Sequence, residues 1–466
     1  MRREHDADPV RALREEVAHA IDSSVPAAAT ITVALSGGRD SVVLLDALIA
    51  TARQRGHPLT AVHVHHGLSP NADAWADFCT KICADVDVPL DVRRVDVTHA
   101  PQQSLEATAR IARYSALAVA AVAGQATHVA LAHHRGDQAE TLLLQLLRGA
   151  GPRGLAGMPG ASRSADGITW LRPLLALSRS VINAYAGAMQ LRYIDDESNA
   201  ELTHRRNAVR HRVMPTLASV FPNPELTLAR AAGLQADAAR LVEDLAVLDA
   251  GDAVSTATLD RQRLVALPEY RAANVLRWFL RQRGLPAPSA ARLAAMLSQL
   301  RAARTDARVQ IVHGGRAVGV HRGRVIVHAL PVPPFDVLWH GEAEVVLPSG
   351  RLRFDRRSGD GLDESRLANG PLRIRSRVGG ERMSLGNNRP RRALKSLLQD
   401  AGFPTWLRDA TPLVFCGDEL IWVAGLGFAA NVMATAPAVG VTLVWQPSDV
   451  VERLAFVSPP ECDQSA

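Results

Sequence analysis

The chain has 466 residues, more than one hydrophobic core usually organises, so its length predicts two to four domains. Its 47% hydrophobic and 21% charged residues are typical of a globular protein, and a net charge of +6 permits a nucleic-acid partner without requiring one. Four cysteines without a CxxC pair argue against a disulfide scaffold, and no signal region or membrane-length apolar run is present, so we expect a soluble, cytoplasmic protein.

The first 151 residues alternate between strand and helix patterns. Apolar, β-branched runs predict strands at 30–35, 59–67, 89–97 and 127–134. Amphipathic spacing predicts helices at 42–54, 71–85, 104–123 and 136–151. This alternation indicates an α/β fold with a doubly wound parallel sheet, in which ligands bind at the carboxyl ends of the strands.

The loop after the first strand reads SGGRDS, from Ser36 to Ser41. Gly37 and Gly38 permit a close approach of backbone to a ligand, and the helix that follows offers free N–H groups to an anion. Asp40 would repel phosphates unless a divalent cation lay between them, so we interpret it as a Mg²⁺ ligand in a nucleotide site. The alternative is an ordinary strand-to-helix turn in which Asp40 interacts favourably with the helix dipole.

Two other predicted strands carry polar side chains at their carboxyl ends. His66 ends the second strand, and His133 ends the fourth just before Asp137 and Glu140, which lie three apart at the start of a helix. Asp137 would complement Asp40 around Mg²⁺ or position the substrate, although a carboxylate pair at a helix N-terminus is a common structural feature. Because carboxyl ends of parallel strands lie at one edge of a sheet, these residues predict a single active site.

Two basic pairs follow helical spacing. Arg110 and Arg113 share a helix face and could stabilise the growing charge of pyrophosphate, or could form a solvated basic face. Arg206 and Arg210, four apart, share another face. Between these pairs, the Gly-rich segment 149–172 predicts a mobile loop over the site.

Composition divides the chain into four predicted regions. We expect a first α/β domain at 1–215, a mostly helical domain at 224–330, a connecting region at 331–371 that opens with PVPPF, and a small basic α+β domain at 372–447.

The SGGRDS loop resembles the SGGxDS loop of the PP-loop, or N-type ATP pyrophosphatase, superfamily, whose members split ATP into AMP and pyrophosphate and pass AMP to a substrate oxygen. Four further segments make the resemblance more specific: HVHHGLSPNADAW, EATARIARY, AHHRGDQAETLLLQLLRGAGPRGLAGM and DESNAELTHRRNAVRHRVMP. With GGERMSLGNNRPRRALKSLLQDAGFPTWLRDATPLVF near the end of the chain, they resemble the tRNA(Ile)-lysidine synthase family.

The resemblance implies a ligase that adenylates C2 of the wobble cytidine in the CAU anticodon of tRNA(Ile) and then attaches L-lysine. ATP, with Mg²⁺, is the implied co-substrate. The residues implied to bind it are Ser36, Gly37, Gly38, Arg39, Asp40, Ser41, His66 and His133. The implied catalytic residues are Asp40, Asp137, Arg110 and Arg113, with Asp40 and Asp137 as metal ligands. The implied tRNA contacts are Arg206, Asn207, Arg210, Arg391, Arg392 and Lys395.

Two departures from the family pattern and two alternatives remain. Arg39 fills the variable position of the loop, and the usual basic pair of the last domain appears as Ala393 and Lys395. A PP-loop tRNA thiolase would need sulfur carried on cysteines, whereas Cys79 and Cys83 have the spacing of helical core residues. A tRNA-binding protein with a vestigial loop is the non-enzymatic alternative, and the sequence leaves the oligomeric state open, with a homodimer as one option.

Overall fold

The computed structural model describes residues 8–67, 69–96, 105–164, 166–195, 205–252, 257–303, 309–385, 390–429 and 431–448. Two compact units divide the chain between Leu241 and Val242. Among the helices within these ranges, none is long and apolar enough to cross a membrane.

The first unit alternates helices and strands as the sequence predicts. Its helices are α1 (Pro9–Ser24), α2 (Arg39–Arg55), α3 (Ala72–Asp85), α4 (Leu105–Ala123), α5 (Arg135–Leu146), α6 (Pro152–Leu155) and α7 (Arg179–Ala188). Its strands are β1 (Ile31–Ala34), β2 (Leu59–His65), β3 (Leu90–Arg94), β4 (His128–Ala130), β5 (Ala161–Arg163) and β6 (Thr169–Leu171).

These six strands form one sheet in the order β3-β2-β1-β4-β6-β5. Strand β1 lies in the middle and pairs in parallel with β2 and β4, while β6 continues the parallel pairing and β5 is an antiparallel edge. Ile31 and Val33 on one face of β1 and Thr32 on the other are all buried, as expected for a strand covered on both faces. The predicted doubly wound α/β fold is therefore confirmed.

The segment 149–172 differs from the loop that we predicted. Strands β5 and β6 form a hairpin that extends the sheet, and Ile168, Trp170 and Leu171 are buried in it. The side chain of Gln138 also holds the preceding turn, since its Nε2 donates to the Met158 carbonyl (3.0 Å) and its Oε1 accepts from the Met158 N–H (2.8 Å). The glycine-rich composition predicted a loop and gave no sign of the two short strands. Strand β6 pairs with β4, which lies about one helix earlier in the chain.

The first unit ends in helices that continue beyond Pro215. Helix α8 (Arg205–Ala208), a π-helical turn at Val209–Val213, helix α9 (Met214–Val220) and helix α10 (Pro224–Ala250) follow one another, and the last residues of α10, after Leu241, belong to the second unit. Pro215 is the second residue of α9 and directly follows the π-helical turn in this continuous run.

The second unit begins with three helices and a small antiparallel sheet. The helices are Arg261–Ala266, Glu269–Gln282 and Ala290–Ala302. The strands, in the order β7-β10-β9-β8, are β7 (Leu259–Asp260), β8 (Gln310–His313), β9 (Arg316–His321) and β10 (Arg324–His328). Leu276, Phe279, Leu297 and Val318 are fully or almost fully buried between the helices and the sheet.

The rest of the second unit is β-rich, with strands β11 (Asp336–Trp339), β12 (Glu344–Leu347), β13 (Gly350–Ser358), β14 (Leu362–Asp363), β15 (Leu372–Arg375), β16 (Arg382–Met383), β17 (Arg392–Ala393), β18 (Leu413–Cys416), β19 (Glu419–Val423), β20 (Gly427–Phe428) and β21 (Val439–Pro447). They form sheets in the orders β11-β15-β18-β19-β20, β12-β13-β21-β14 and β16-β17, accompanied by the helices Leu394–Asp400 and Thr405–Ala410. A mostly helical domain followed by a small α+β domain is thus confirmed as the order of folds.

The predicted connecting region at 331–371 shares its strands with the last domain. Strand β11 pairs with β15, and β13 pairs with β21 along its whole length. Trp339, Leu352 and Phe354 are buried in the same core as Leu413 and Val441. The alternating pattern of this region is visible in the sequence, but the partner of β13 lies more than 80 residues away, where local periodicity carries no information.

An aromatic stack joins the small antiparallel sheet to the helix Thr405–Ala410. The rings of His328 and Trp406 lie parallel, with their centroids 4.0 Å apart. Gly319 leaves the room for this stack, because a Cβ there would come within 2.8 Å of both rings. The two parts of the second unit are therefore in close contact through buried aromatic groups.

Candidate active site

Hydrogen bonds between residues of the phosphate loop, made through its two serines, hold the loop in a closed turn. The Ser41 hydroxyl donates to the Gly38 carbonyl (2.8 Å) and lies 3.1 Å from the Ser36 hydroxyl, and it also accepts from the Ser36 N–H (3.2 Å). Gly38 is the N-cap of α2 and no side chain caps it, so the first N–H groups of the helix remain available. This is the arrangement that binds an anion at a helix N-terminus.

Gly37 cannot be replaced by a larger residue in this loop. Its φ of +84° lies in the left-handed region, and a Cβ would come within 2.7 Å of the Ile194 side chain and 3.2 Å of the Cys79 sulfur. The Ile194 N–H donates to the Gly37 carbonyl (2.9 Å), so a neighbouring segment holds the loop from one side.

Asp40 stands in the first turn of α2 with one carboxylate oxygen unsatisfied. Its Oδ1 atom is buried without a hydrogen-bond partner among the described residues. Its Oδ2 atom lies 3.8 Å from Nε2 of His134, too far for a hydrogen bond. A buried, unpaired carboxylate oxygen beside an anion-binding loop has the chemistry of a hard-cation ligand.

His134 and Asp137 form the N-terminal cap of α5, at the neighbouring strand end. The Asp137 Oδ2 atom accepts from the His134 N–H (2.9 Å), and the His134 Nδ1 atom accepts from the Gly136 N–H (3.0 Å). The proton of a neutral His134 therefore resides on Nε2, which lies 3.6 Å from Asp137 and 3.8 Å from Asp40. The sheet thus brings the two predicted metal ligands to the same imidazole.

Arg206 and Arg210 are paired with acidic residues of α5. Arg206 donates to Asp137 Oδ1 and to Glu140 Oε2, both at 2.9 Å. Arg210 donates to Asp137 Oδ1 (2.8 Å) and to Glu140 Oε1 (2.6 Å). Arg206 lies on α8, and Arg210 lies in the π-helical turn that follows it, a local change of helical geometry that is frequent at functional sites.

This cluster accounts for the acidity of Asp137. Burial raises the pKa of its carboxyl, but His134, Arg206 and the His134 N–H outweigh burial, and the pKa falls to about 2. Its usual value is about 4, so the favourable contribution of Asp137 to folding is present above pH 4 and is lost as the pH falls towards 2. Asp137 is therefore fully ionised under physiological conditions.

The two histidines predicted to bind ATP are both kept neutral. Burial lowers the pKa of His133 to about 3 and, together with Arg113, lowers that of His66 to about 4. The Arg113 Nε–H donates to Nε2 of His66 (3.1 Å). The Nδ1 atoms of both histidines are buried without a partner among the described residues. Neutral imidazoles can accept or donate a single hydrogen bond without adding charge next to phosphates.

Arg110 lies near this group and is oriented by an aromatic residue. Its guanidinium lies over the Tyr114 ring at 5.0 Å and donates to the Tyr114 hydroxyl (3.2 Å). The positive charge of Arg110 is close enough to contribute to the low pKa of His133. Arg110 and Arg113 thus lie near His133 and His66, which follow β4 and β2, and their role as a clamp stays a prediction.

The low pKa of His66 predicts a pH dependence of stability. In the unfolded chain the pKa of His66 is about 6.5, so between pH 6.5 and pH 4 the unfolded state binds more protons than the folded state. The contribution is complete above pH 6.5 and is lost as the pH falls to 4. The free energy of unfolding of the wild type and of His66→Gln can be measured in urea between pH 4.5 and 7.5. It should rise less steeply with pH in the variant, by an amount that corresponds to at most one proton. Equal pH dependence of the two proteins would contradict the assignment.

The predicted tRNA contacts fall in both units. Arg206 and Arg210 are half-buried in the acidic cluster, and Asn207 lies between them on α8. Arg391, Arg392 and Lys395 are exposed in the second unit, where Arg392 pairs with Asp400 (2.6 Å). The role of all six residues in binding tRNA stays a prediction.

Some residues of the site gave no sequence signal. Tyr114 and Arg172 support Arg110 and the β6 side of the sheet, and Asn183 and Tyr193 contact Arg39 of the loop. Asn183 lies 144 positions from Arg39, and Tyr193 and Arg172 are also distant in the chain from Arg39 and Arg110, so no local pattern links them. Tyr114 is the exception, because it lies four residues after Arg110 on the same helix, within the segment EATARIARY. His134 could have been found, because it precedes a helix start as N-cap residues do.

Three family models match consecutive parts of the chain. The first, described as a PP-loop domain, matches residues 10–217. The second, the TilS substrate binding domain, matches 259–326, and the third, the TilS substrate C-terminal domain, matches 372–445. With the loop geometry above, the first match defines an ATP-utilising protein of the PP-loop class.

Curated relatives match almost the whole chain. The tRNA(Ile)-lysidine synthase of Nitrosomonas europaea is 39% identical over 439 residues, which are 93% of this chain and 95% of the relative. Those of Azoarcus sp. (strain BH72) and Burkholderia pseudomallei are 40% and 39% identical, over 92% of this chain and 95% and 96% of the relatives. The chain belongs to the tRNA(Ile)-lysidine synthase family.

Proposed function

We propose that this protein is an ATP-dependent carbon–nitrogen ligase that converts the wobble cytidine of the CAU anticodon of tRNA(Ile) to lysidine. ATP adenylates the C2 carbonyl oxygen of the base, with release of pyrophosphate, and the amine of L-lysine then displaces AMP. A carbonyl oxygen is a poor leaving group and AMP is a good one, so adenylation makes the displacement feasible. Full-length similarity to tRNA(Ile)-lysidine synthases carries this proposal, and the phosphate loop supports it.

The phosphate loop binds the pyrophosphate part of ATP. The N–H groups at the start of α2 and the Ser36 hydroxyl are the donors offered to an anion, while the Ser41 hydroxyl is used to hold the loop through the Gly38 carbonyl. The chain has no Walker lysine that would direct transfer of the γ-phosphate. We therefore expect AMP and pyrophosphate as products. ADP and orthophosphate as primary products would contradict the assignment.

Asp40 is the residue best placed to hold Mg²⁺, because its Oδ1 atom is buried and has no hydrogen-bond partner in the described part of the chain. Bound Mg²⁺ would neutralise charge on the phosphates. Asp137 is the second candidate, although both of its oxygens already accept hydrogen bonds. No group of three acidic, histidine or cysteine side chains within the described ranges could hold a metal alone, which fits an ion held partly by substrate phosphates.

Arg110 and Arg113 stabilise the charge that develops as pyrophosphate leaves. Arg110 is oriented by Tyr114, and Arg113 by His66. Charged groups held in place before the reaction stabilise a transition state without a further cost of reorganisation. The neutral imidazoles of His66 and His133 contribute polar contacts to the bound nucleotide.

The experiment that tests this function is mass analysis of the anticodon nucleosides. The purified protein, which we expect to act in the cytoplasm, is incubated with ATP, Mg²⁺, labelled L-lysine and a tRNA(Ile) transcript that bears the CAU anticodon. Incorporation of one lysine at the wobble cytidine is expected, with AMP and pyrophosphate in equal amounts. Unmodified cytidine in the presence of folded protein would refute the proposal.

The exposed basic residues of the second unit should contribute to tRNA affinity by binding phosphates. Replacing Arg391, Arg392 and Lys395 together by glutamine should weaken tRNA binding and flatten its salt dependence by about 0.7 to 0.9 for each phosphate that is no longer neutralised. Arg351→Gln is the matched control, since Arg351 is also an exposed arginine and pairs with Glu344. An affinity and a slope equal to those of the control would remove these residues from tRNA recognition.

The thiolase alternative makes a different prediction for the cysteines. Burial raises the pKa of Cys79 to about 12 and of Cys83 to about 11, so both are protonated and poor nucleophiles. The double variant Cys79→Ala/Cys83→Ala should lose about 1 to 2 kcal/mol of stability yet transfer lysine normally per folded molecule. Abolished turnover in a well-folded variant would favour thiolation.

A further inference from the structure

We propose that Arg39, at the variable position of the phosphate loop, is a positioning residue: its side chain locks the loop in its anion-binding shape through helix α7 and residues 193–195, and it does not contact ATP. This inference rests on the proposed function, because it concerns the same ATP site. It assigns the side chain of Arg39 a role different from the nucleotide contact that the resemblance implies.

The guanidinium of Arg39 contacts residues outside the phosphate loop. It donates to Oδ1 of Asn183 on α7 (2.7 Å) and lies over the ring of Tyr193, 4.6 Å from its centroid. It also lies 3.5 Å from a carboxylate oxygen of Asp195. Only about a quarter of its side-chain surface is exposed (24%), so these contacts define its position.

The segment that carries Tyr193 is also attached to the loop backbone. Ile194 pairs with Gly38 in a parallel bridge, and its N–H donates to the Gly37 carbonyl (2.9 Å). The Ile194 side chain occupies the space beside Gly37, where a Cβ would come within 2.7 Å. The loop is thus clamped twice by one segment, through its backbone at Gly37 and Gly38 and through the side chain of the next residue.

This clamp acts on the groups that would bind phosphate. Arg39 is the first residue of α2, so its backbone N–H is one of the free donors at the helix start. If its side chain is released, the first turn of α2 and the left-handed Gly37 must be ordered by the ligand instead, and ordering a few backbone residues costs binding free energy. We expect the loss in ATP affinity and not in the later displacement by lysine.

An open groove beside the guanidinium makes the idea testable by chemical rescue. The groove is lined by Arg39, Asn183, Gly187, Gln190 and Tyr193. Removing the side chain in Arg39→Ala would leave a gap that opens to this groove, over the Tyr193 ring and next to Asn183. A small guanidinium ion at millimolar concentration can enter it and restore the stack and the hydrogen bond.

The experiment compares Arg39→Ala, Arg39→Lys, Tyr193→Leu and Tyr193→Phe with wild type and with Arg53→Ala. Arg53, on the same helix, donates to the Val86 carbonyl at the surface, so it controls for loss of an arginine from α2. The dissociation constant of ATP is measured directly, together with KM for ATP, KM for lysine and kcat. Thermal unfolding reports any general loss of structure.

Arg39→Ala should raise the dissociation constant and KM of ATP about tenfold, the effect of losing a partly desolvated cation–π contact and one hydrogen bond, with kcat and KM for lysine within about twofold of wild type. Arg39→Lys, which keeps the charge without the planar group, should have a dissociation constant for ATP between those of the wild type and Arg39→Ala. Tyr193→Leu should reproduce part of the effect, and a double variant that combines Arg39→Ala with Tyr193→Leu should bind ATP little more weakly than Arg39→Ala, because the two side chains act as one unit. Tyr193→Phe, which keeps the ring face, should bind ATP as wild type does. Guanidinium should restore ATP affinity to Arg39→Ala alone.

Unchanged ATP affinity in a folded Arg39→Ala protein would overturn the positioning role. A loss of affinity without guanidinium rescue and without coupling to Tyr193 would also overturn it, and would assign Arg39 to direct ATP contact. If the wild type itself bound no ATP, the proposed function would fail first, so the two failures are distinguishable.

Discussion

Asp40→Asn is expected to lower the rate of adenylation by about a hundredfold or more, the scale on which loss of a preorganised charge acts on a developing phosphate charge. The amide is nearly isosteric with the carboxylate but cannot neutralise a divalent cation. The Oδ1 atom of Asp40 has no partner among the described residues, so stability should change little. Pyrophosphate exchange and urea unfolding measure the two effects separately.

Metal dependence provides the internal check on Asp40. In EDTA the variant should bind ATP at least as tightly as wild type, because a negative charge next to the phosphates has been removed, while the gain in affinity on adding Mg²⁺ should largely disappear. Asp91→Asn is the matched control, since Asp91 forms an ion pair with Arg93 on β3. Near-normal turnover of Asp40→Asn would show that Asp40 is only a first-turn helix residue.

Glu140→Ala should lower the free energy of unfolding by about 3 kcal/mol, at the lower end for breaking a buried ion pair, because Arg206 and Arg210 keep partial contact with water. Removing this carboxylate leaves two guanidinium groups with Asp137 as their shared acceptor. Glu140→Gln should cost less, since its amide oxygen can still accept one hydrogen bond. Urea unfolding at pH 7 measures both variants.

Glu344→Ala is the surface control for Glu140. Glu344 pairs with the exposed Arg351 at 3.2 Å, and such pairs contribute about 0 to 1 kcal/mol. The Glu140 variants should also lose activity per folded molecule. Arg206 and Arg210 now donate to both Glu140 and Asp137, and without Glu140 they would no longer hold Asp137 in the same position. Losses of stability equal to the control would mean that the cluster does not hold α8 and the π-helical turn to the active site.

The features of the site that could be predicted are those that depend on residues close together in the sequence. The strand, glycine pair and helix around Gly37 carry their structure within about 25 residues, so the phosphate loop and the parallel sheet followed directly from periodicity. The approach of Asp40 and Asp137 to one imidazole, that of His134, is also expected from the sequence, because carboxyl ends of parallel strands share an edge. These inferences needed no knowledge of distant contacts.

The remainder depends on contacts between distant residues. Arg206 reaches Glu140 across 66 positions, and Arg39 reaches Asn183 across 144. Basic residues spaced four apart look the same in a sequence whether they face solvent, nucleic acid or buried carboxylates, so their partners were not predictable. For the same reason the sequence indicates only a connecting region at 331–371, although β11 and β13 pair with strands of the last domain.

The stack of Trp406 on His328 has a practical consequence for dividing this protein into fragments. Cutting the chain near residue 333, between the second and third matched regions, would strip the cover from His328 on one fragment and expose Trp406 and Leu407 on the other. Both fragments would carry newly exposed apolar surface, and a loss of tRNA binding by either could reflect aggregation. Point substitutions in the intact chain are therefore the sounder way to separate the contributions of the two regions.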